Sequence, residues 1–247
     1  MKEITSVQNP LVKRLAKLRK DRDYRKELGS VVIEGEKLVN EVCAIIEANV
    51  VLHTQTERPS EKIKSKDFYQ VTEEIIKKIS GAQSPEGVIA EIPYPKPHSF
   101  KNMHFLVALD GVSDPGNLGT LLRTALSFGW EGVYILDNCC DPFNDKALRS
   151  AKGATFRLPL RFGNWSDLTE IVKENQLFPL CADIEGTQVE QLFEKNKILL
   201  VLGSESHGPS QETLSKCTQI TLPMSGKMES LNVSVAGGIL MYLLKKL

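Results

Sequence analysis

Residues 104–136, "HFLVALDGVSDPGNLGTLLRTALSFGWEGVYIL", predict a strand, a helix and a second strand in close succession. The two ends, "HFLVAL" and "GVYIL", are apolar runs of strand length, whereas "GNLGTLLRTALSF" repeats its apolar residues at helical spacing. Asp114 and Pro115 supply the N-cap and the first residue of that helix. A helix between two wholly apolar strands favours parallel pairing in a sheet that is buried on both faces.

The same alternation continues along the chain and predicts an α/β fold, with a mainly parallel sheet and helices on both of its faces. "DKALRSAK" predicts a short helix, "KILLVL" a strand, and residues 220–222 a last short strand. Residues 230–247 predict a closing helix. The residues expected to bury that helix are Val235, Ile239, Leu240 and Leu243.

A proline-rich segment, "EIPYPKPHSFK", interrupts the pattern before this region. Pro93, Pro95 and Pro97 exclude a continuous helix or a central strand there and favour extended backbone. We therefore expect a domain boundary, with domains at residues 1–95 and 102–247. The alternative is a long surface loop inside one domain.

The region before the prolines predicts a small α/β domain that begins with a basic helix. Asn9 and Pro10 form an N-cap and a first helical residue, and an apolar stripe follows at Leu11, Leu15 and Leu18. Basic residues outnumber acidic ones over residues 1–28, although the whole chain has no net charge. A phosphate backbone is the natural partner of such a helix, and a solvated helix face is the alternative. The candidate RNA contacts are Lys13, Arg14, Lys17 and Arg25.

The five cysteines follow no CxxC spacing and predict neither a disulfide framework nor a zinc site. A reducing compartment is therefore expected. The N-terminal segment lacks the apolar core of a secretory signal, and the longest apolar-leaning run is too short for a bilayer span. These observations predict a cytoplasmic protein with no metal and no membrane partner.

Polar loops are expected after Leu109, Leu202 and Leu222, because ligands of parallel α/β sheets collect at the carboxyl ends of the strands. On the first helix, Asn117 and Arg123 could hold a ribose and a phosphate, although a lone surface arginine more often makes a salt bridge.

The second loop, "LVLGSESHGPS", contains Gly203, where the backbone can turn sharply, and Glu205. It is neither a Walker loop nor a GxGxxG loop. In the third loop, backbone groups could bind an adenine edge between apolar walls formed by Leu222, Met224 and Leu231.

Taken in order, "NLGTLLRTA", "LVLGSESHG" and "ITLPMSGKMESLNVSVA" resemble the three motifs of the SpoU (TrmH) family of RNA ribose methyltransferases. The N-terminal text "ITSVQNPLVKRLAKL" with "GSVVIEGEKLV" resembles the ribosomal-protein-like substrate-binding domain that many members carry. The resemblance covers nearly the whole chain.

The resemblance implies an S-adenosylmethionine-dependent enzyme of the SPOUT superfamily, with a deep C-terminal trefoil knot, that acts as a homodimer. It implies methylation of a ribose 2′-hydroxyl of RNA, and the N-terminal domain favours ribosomal RNA over transfer RNA without identifying the nucleotide. The implied catalytic cluster is Asn117, Arg123, Glu205, Ser230 and Asn232. The implied donor-binding residues are Leu202, Gly203, Leu222, Met224 and Leu231.

Two positions depart from the family pattern, since Ser206 replaces a usual glycine and Pro209 a usual aliphatic residue. Both affect the expected shape of the second loop. Because a guanidinium normally keeps its proton, we expect Arg123 to orient and stabilise charge rather than to act as a simple base. The alternative functions are a non-catalytic RNA-binding protein with a degenerate methyltransferase domain and a base-methylating enzyme of the same superfamily.

Overall fold

A computed structural model describes residues 2–57, 59–82, 84–189 and 196–246. The chain divides into two compact units. Unit 1 contains Met1–Lys96 with Phe143–Leu148, and unit 2 contains Pro97–Pro142 with Arg149–Leu247. No helix in the described ranges is both long enough and apolar enough to cross a membrane.

Unit 1 is built on a five-stranded sheet with the order β1-β4-β3-β5-β2. Its strands are β1 (Lys2–Ile4), β2 (Ser30–Glu34), β3 (Ala48–His53), β4 (Ser65–Val71) and β5 (Val88–Pro93). Its helices are α1 (Pro10–Lys20), α2 (Arg22–Leu28), α3 (Glu36–Cys43) and α4 (Glu73–Ser80). β5 is antiparallel to β2 and β3, whereas β4 is parallel to β1 and β3.

The start of α1 follows the prediction from the sequence. The side chain of Asn9 accepts a hydrogen bond from the backbone N–H of Leu11, and Pro10 is the first helical residue. Leu15 and Leu18 are fully buried in the core of unit 1. β1 and β4 have no counterpart in the sequence analysis.

Unit 2 contains a six-stranded sheet with the order β11-β9-β10-β6-β7-β8. Its strands are β6 (Phe105–Leu109), β7 (Gly132–Leu136), β8 (Leu160–Gly163), β9 (Phe178–Gln188), β10 (Ile198–Leu202) and β11 (Thr218–Thr221). The helices in this part of the chain are α5 (Pro115–Ser127), α6 (Asp145–Ala151), α7 (Trp165–Asn175), α8 (Gln211–Lys216) and α9 (Val233–Lys246). All the neighbouring strands in this sheet are parallel, which confirms the predicted α/β class.

The parallel register places the predicted polar loops at one edge of the sheet. Leu109, at the end of β6, pairs with Leu202, at the end of β10. The loops that follow these two strands therefore start side by side.

The closing helix differs from the prediction in its start and in the face that it buries. α9 begins at Val233 rather than at Ser230, because Asn232 forms its first turn: the Asn232 carbonyl accepts from the backbone N–H groups of Val235 and Ala236. Leu240 is buried, as expected, but Val235 is 50% exposed and Ile239 41% exposed, so these two predictions were wrong. Leu247, the predicted end, lies outside the described residues.

Candidate active site

A cavity of about 670 Å³ opens between the loops that follow β10 and β11. All five residues predicted to bind the donor line it, namely Leu202, Gly203, Leu222, Met224 and Leu231. Glu205, Ser230 and Asn232 of the predicted catalytic cluster also line it. The second and third sequence motifs therefore meet at one cavity.

Gly203 is required by close packing of the loop on itself. A Cβ at this position would lie 2.4 Å from the backbone nitrogen of Pro209 and 2.6 Å from the carbonyl oxygen of Gly208. Ser204 and Gly208 exchange two backbone hydrogen bonds of 3.0 Å, which close a tight turn. We name residues 203–209 the donor loop. Ser206 is not among the described non-glycine residues with positive φ, so its departure from the family pattern causes no backbone strain.

Glu205 projects from the tip of this turn and accepts four hydrogen bonds from the segment that begins α5. Oε2 accepts from the backbone N–H and the hydroxyl of Ser113, both at 3.2 Å. Oε1 accepts from the backbone N–H of Asp114 at 3.3 Å and from Nδ2 of Asn117 at 3.0 Å. The Glu205 carboxylate thus joins the second motif to the first.

The environment of Glu205 keeps it ionised. Burial by itself would raise the pKa of this carboxyl group, but the hydrogen bonds from Asn117 and from the backbone of Ser113 and Asp114 outweigh it and lower the pKa below its ordinary value. With its oxygens occupied by donors, Glu205 is suited to hold Asn117 in place and not to accept a proton.

Asn232 connects the third motif to the same cluster. Its Nδ2 donates to Oδ1 of Asn117 at 3.1 Å, while its Oδ1 accepts from the backbone N–H and the hydroxyl of Ser234. A chain of side-chain hydrogen bonds therefore runs from Asn232 through Asn117 to Glu205. These hydrogen bonds hold the polar start of α9 against the start of α5.

Arg123 lies apart from this cluster. It is exposed on α5 and is not among the residues that line the cavity. No hydrogen bond or ion pair joins its guanidinium to the described part of the chain, and the hydroxyl of Ser127 donates to its backbone carbonyl. Its guanidinium is therefore accessible to a ligand from solution.

The four basic residues proposed for RNA contact have different environments in unit 1. Lys13 and Lys17 are exposed on α1, and Nζ of Lys17 lies 4.0 Å from the ring centroid of Tyr24. Arg14 instead forms a two-bond ion pair with the buried carboxylate of Glu91, at 2.7 and 2.6 Å.

Arg25 is only 2% exposed, and its Nη1 donates to the carbonyl oxygens of Leu18 and Arg19 near the end of α1. These two carbonyls belong to the last turn of a helix, where acceptors lack helical partners. The guanidinium of Arg25 is thus used inside the unit, and we remove it from the proposed RNA surface.

Comparison with known proteins identifies the family of the chain. Residues 104–242 match the family model described as the SpoU rRNA methylase family, and residues 9–90 match the MRM3-like substrate binding domain. The chain belongs to the SpoU rRNA methylase family. The resemblance seen in the three sequence motifs is thereby confirmed.

Two curated relatives match almost the whole of this chain. The chain is 30% identical to 23S rRNA (guanosine(2553)-2′-O)-methyltransferase RlmP of Bacillus subtilis, over 99% of this chain and 100% of the relative. It is 27% identical to the mitochondrial rRNA methyltransferase 3A of Danio rerio, over 93% of this chain and 66% of the relative. Among solved structures, an AdoMet-bound rRNA methyltransferase from Sinorhizobium meliloti superposes with a TM-score of 0.87 at 27% identity, covering 99% of this chain and 97% of that one.

Some residues of this SpoU site were missed by the sequence analysis. Ser113 and Asp114 supply backbone donors to Glu205, and such donors leave no trace in residue type. Asp183 and Glu185 line the cavity from β9, a strand that was not predicted. Asp110 directly follows the buried strand β6 and is itself buried; its polar side chain at a strand end was a usable signal.

Proposed function

We propose that this chain transfers a methyl group from S-adenosylmethionine, bound in the cavity between the donor loop and residues 221–232, to a ribose 2′-hydroxyl of ribosomal RNA. The observation that carries the proposal is the hydrogen-bonded chain Asn232–Asn117–Glu205, which brings all three SpoU motifs together beside that cavity. As a member of the SpoU rRNA methylase family, the chain is an S-adenosylmethionine-dependent RNA 2′-O-methyltransferase.

The cavity fits the donor in size and in chemistry. Its volume of about 670 Å³ is within the range of pockets that hold small organic cofactors. Leu222, Met224 and Leu231 offer apolar walls for an adenine ring. Asp183 and Glu185 also line the cavity, and their carboxylates complement the positive charges of the donor's ammonium and sulfonium groups.

When bound, the donor would supply an activated methyl group: its bond to sulfur would break as a bond to the ribose oxygen forms, and the hydroxyl proton would pass to water. The chain's own residues orient the two reactants. In this proposal, Ser230 and Asn232 contact the donor or the ribose from the rim of the cavity, and Asn117, held by Glu205, contacts the ribose. Arg123 binds a phosphate near the reacting ribose and stabilises charge there.

Unit 1 supplies the RNA contact in this proposal, and residues 1–95 form the substrate-binding domain. The match of residues 9–90 to a substrate-binding domain supports this role, as do the exposed lysines Lys13 and Lys17 on α1. Because Arg14 is held by Glu91, it shapes this surface more than it binds phosphate. The named relatives act on ribosomal RNA, which favours ribosomal RNA over transfer RNA as the substrate.

We further propose that the active form is a homodimer. Val235, Ile239 and Tyr242 lie at positions i, i+4 and i+7 of α9 and are 50%, 41% and 43% exposed. Phe128 at the end of α5 packs against Tyr242, with ring centroids 5.6 Å apart, and extends the stripe. An apolar helix face of this kind is typical of a surface that a second copy covers.

Two parts of the proposal rest mainly on the family. They are the trefoil knot in the C-terminal domain and the cytoplasmic location. The five free thiols, at Cys43, Cys139, Cys140, Cys181 and Cys217, are in keeping with a reducing compartment.

Methylation of ribosomal RNA by the purified full chain, with donor labelled in its methyl group, tests the activity. The RNA is then digested to nucleosides, and the glycosidic bond of the labelled nucleoside is cleaved, because a label on ribose then travels with the sugar and a label on a base does not. We expect labelled 2′-O-methyl nucleosides from the wild type. Arg123→Ala should lose transfer while keeping donor affinity, whereas Arg157→Ala, at another exposed arginine of unit 2, should behave as the wild type. Label on a base, or normal turnover by Arg123→Ala, would contradict the proposal.

Sedimentation equilibrium tests the dimer. We expect Ile239→Glu to shift the wild-type dimer toward monomer, because the substitution places a charge in the apolar stripe. Ile45→Glu is the matched control, since Ile45 is a 64% exposed isoleucine in unit 1. A monomeric wild type, or a dimer that Ile239→Glu leaves unchanged, would contradict this arrangement.

A further inference from the structure

Asp110, directly after β6, is a buried acid of unit 2 that lies outside the three motifs. Its side chain is 3% exposed. One carboxylate oxygen accepts from Nδ2 of Asn138 at 2.8 Å. The other accepts from the backbone N–H of Ser210 at 3.2 Å and from the hydroxyl of Thr213 at 2.5 Å.

These contacts hold the donor loop at both of its ends. The loop starts after Leu202, whose carbonyl accepts from the backbone N–H of Asp110 at 2.9 Å. It ends before Ser210, which the Asp110 carboxylate binds. A single residue of β6 thus anchors the entry and the exit of the loop that lines the cavity and carries Glu205.

The Asp110 carboxylate is held by hydrogen bonds from neutral groups. No cation of the described chain pairs with Asp110, and its side-chain partners are neutral groups. Burial by itself would raise the pKa of this carboxyl group, but the hydrogen bonds from Ser210, Thr213 and Asn138 lower the pKa below its ordinary value. Burial of a carboxylate without a counter-ion costs free energy. Its two oxygens can, however, accept hydrogen bonds from several donors at once and fix their positions.

We propose that Asp110 is a positioning residue for donor binding: its carboxylate holds the donor loop in the shape that lines the cavity and directs Glu205 toward α5. This inference rests on the proposed function, since it takes the cavity as the donor site. It adds a residue outside the motifs to the machinery of the reaction.

Exchange of the Asp110 and Asn138 side chains tests this hydrogen-bond pattern. In Asp110→Asn, one acceptor oxygen becomes an NH2 group that faces either Asn138 Nδ2 or the donors of Ser210 and Thr213. Adding Asn138→Asp removes the conflict, because the new carboxylate accepts from the new amide and still accepts from the backbone N–H of Gly111, as Asn138 does now at 3.0 Å. Asp110→Asn removes one negative charge and Asn138→Asp adds one. The double variant therefore has the same net charge as the wild type.

The experiment is calorimetric titration of the full chain with S-adenosylmethionine, together with thermal unfolding and hydrogen exchange of residues 203–210. Asp110→Asn should weaken donor binding by about tenfold or more and speed amide exchange in the donor loop. The double variant should recover most of both. Glu131→Gln is the control, because the Glu131 carboxylate accepts from the backbone N–H of Phe105 at the opposite end of β6.

Wild-type affinity in Asp110→Asn would overturn the proposal. So would a folded double variant that fails to recover, or an equal loss in Glu131→Gln. If Asp110→Asn does not fold, the double variant decides, since recovery of folding together with donor binding requires the hydrogen-bond pattern. If the wild type itself does not bind S-adenosylmethionine, the proposed function fails, and hydrogen exchange in the donor loop still decides whether Asp110 anchors it.

Discussion

Replacing Glu205 with glutamine keeps the shape of the side chain and turns one acceptor oxygen into a donor. Each oxygen now accepts two hydrogen bonds, at distances between 3.0 and 3.3 Å. Whichever way the new amide turns, its NH2 group faces either the two donors of Ser113 or those of Asp114 and Asn117. If it faces Ser113, the hydroxyl can turn to accept from it, but the backbone N–H of Ser113 loses its acceptor. If it faces α5, the donors of Asp114 and Asn117 both lose their acceptor. One or two of the four contacts are therefore lost, and Glu205 holds the start of α5 less firmly.

The size of the effect follows from these contacts. A hydrogen bond to a partly exposed carboxylate contributes about 1 kcal/mol after solvent screening, so the loss of one or two amounts to about 1–2 kcal/mol. If this free energy is needed to order the site for reaction, kcat/KM falls by about 5- to 30-fold. The donor loop keeps its Asp110 anchor in this variant, so most of the loss should appear in transfer and less in donor affinity.

The assay measures methyl transfer to ribosomal RNA at RNA concentrations below KM, with donor affinity measured separately by calorimetry. Glu212→Gln is the control, because Glu212 lies on α8 and its exposed carboxylate pairs with Lys216 at 3.4 Å. A Glu205→Gln enzyme with kcat/KM within about twofold of the wild type would refute the positioning role of Glu205.

Three further predictions concern the donor loop, unit 1 and pH. Gly203→Ala should abolish donor binding in calorimetry, because its Cβ would meet loop backbone at 2.4 Å; unchanged affinity would contradict this packing. Arg14→Ala should lower the free energy of unfolding in urea by about 3 kcal/mol, because it leaves the buried Glu91 carboxylate without its cation, whereas Lys13→Ala should have no effect. The stability that the Asp110 carboxylate contributes is fully present above its ordinary pKa of 3.8 and is lost as pH falls through its lower pKa in the folded protein. The difference in unfolding free energy between the wild type and Asp110→Asn should therefore shrink in acid. A difference that does not change with pH would contradict this prediction.

The central strands could be predicted from the sequence because burial on both faces leaves a continuous apolar run. β10, Ile198–Leu202, is buried at every position and was readable for that reason. β9 was not, because it contains Pro179 and continues into an exposed, polar half. At Gly186 the backbone of Ile220 approaches so closely that a Cβ would lie 2.5 Å from its nitrogen, and the register with β11 shifts there. Such irregular pairing has no simple sequence period.

The site residues could be predicted where a polar or small residue follows a predicted strand. They could not be predicted where their role depends on the direction in which a side chain points. Gly203 and Glu205 follow the end of β10, Asn232 directly precedes α9, and the structure brings all three to one cavity. The destinations of Arg14 and Arg25 could not be predicted, because a basic helix face does not tell which cations turn inward to a carboxylate or to helix carbonyls. The same holds for Val235 and Ile239, whose apolar side chains indicate burial without telling against what.

The anchor at Asp110 also bears on how the protein is made. Its bond to Ser210 joins groups 100 positions apart, and residues 182–240 supply the entire lining of the cavity. While the chain is being synthesised, β6 and α5 emerge from the ribosome well before the segments that they must bind. Contacts of such long sequence separation form slowly, because loop closure precedes any gain from packing. Capture of a labelled S-adenosylmethionine analogue would therefore report the last stage of folding and distinguish completed chains from nascent ones.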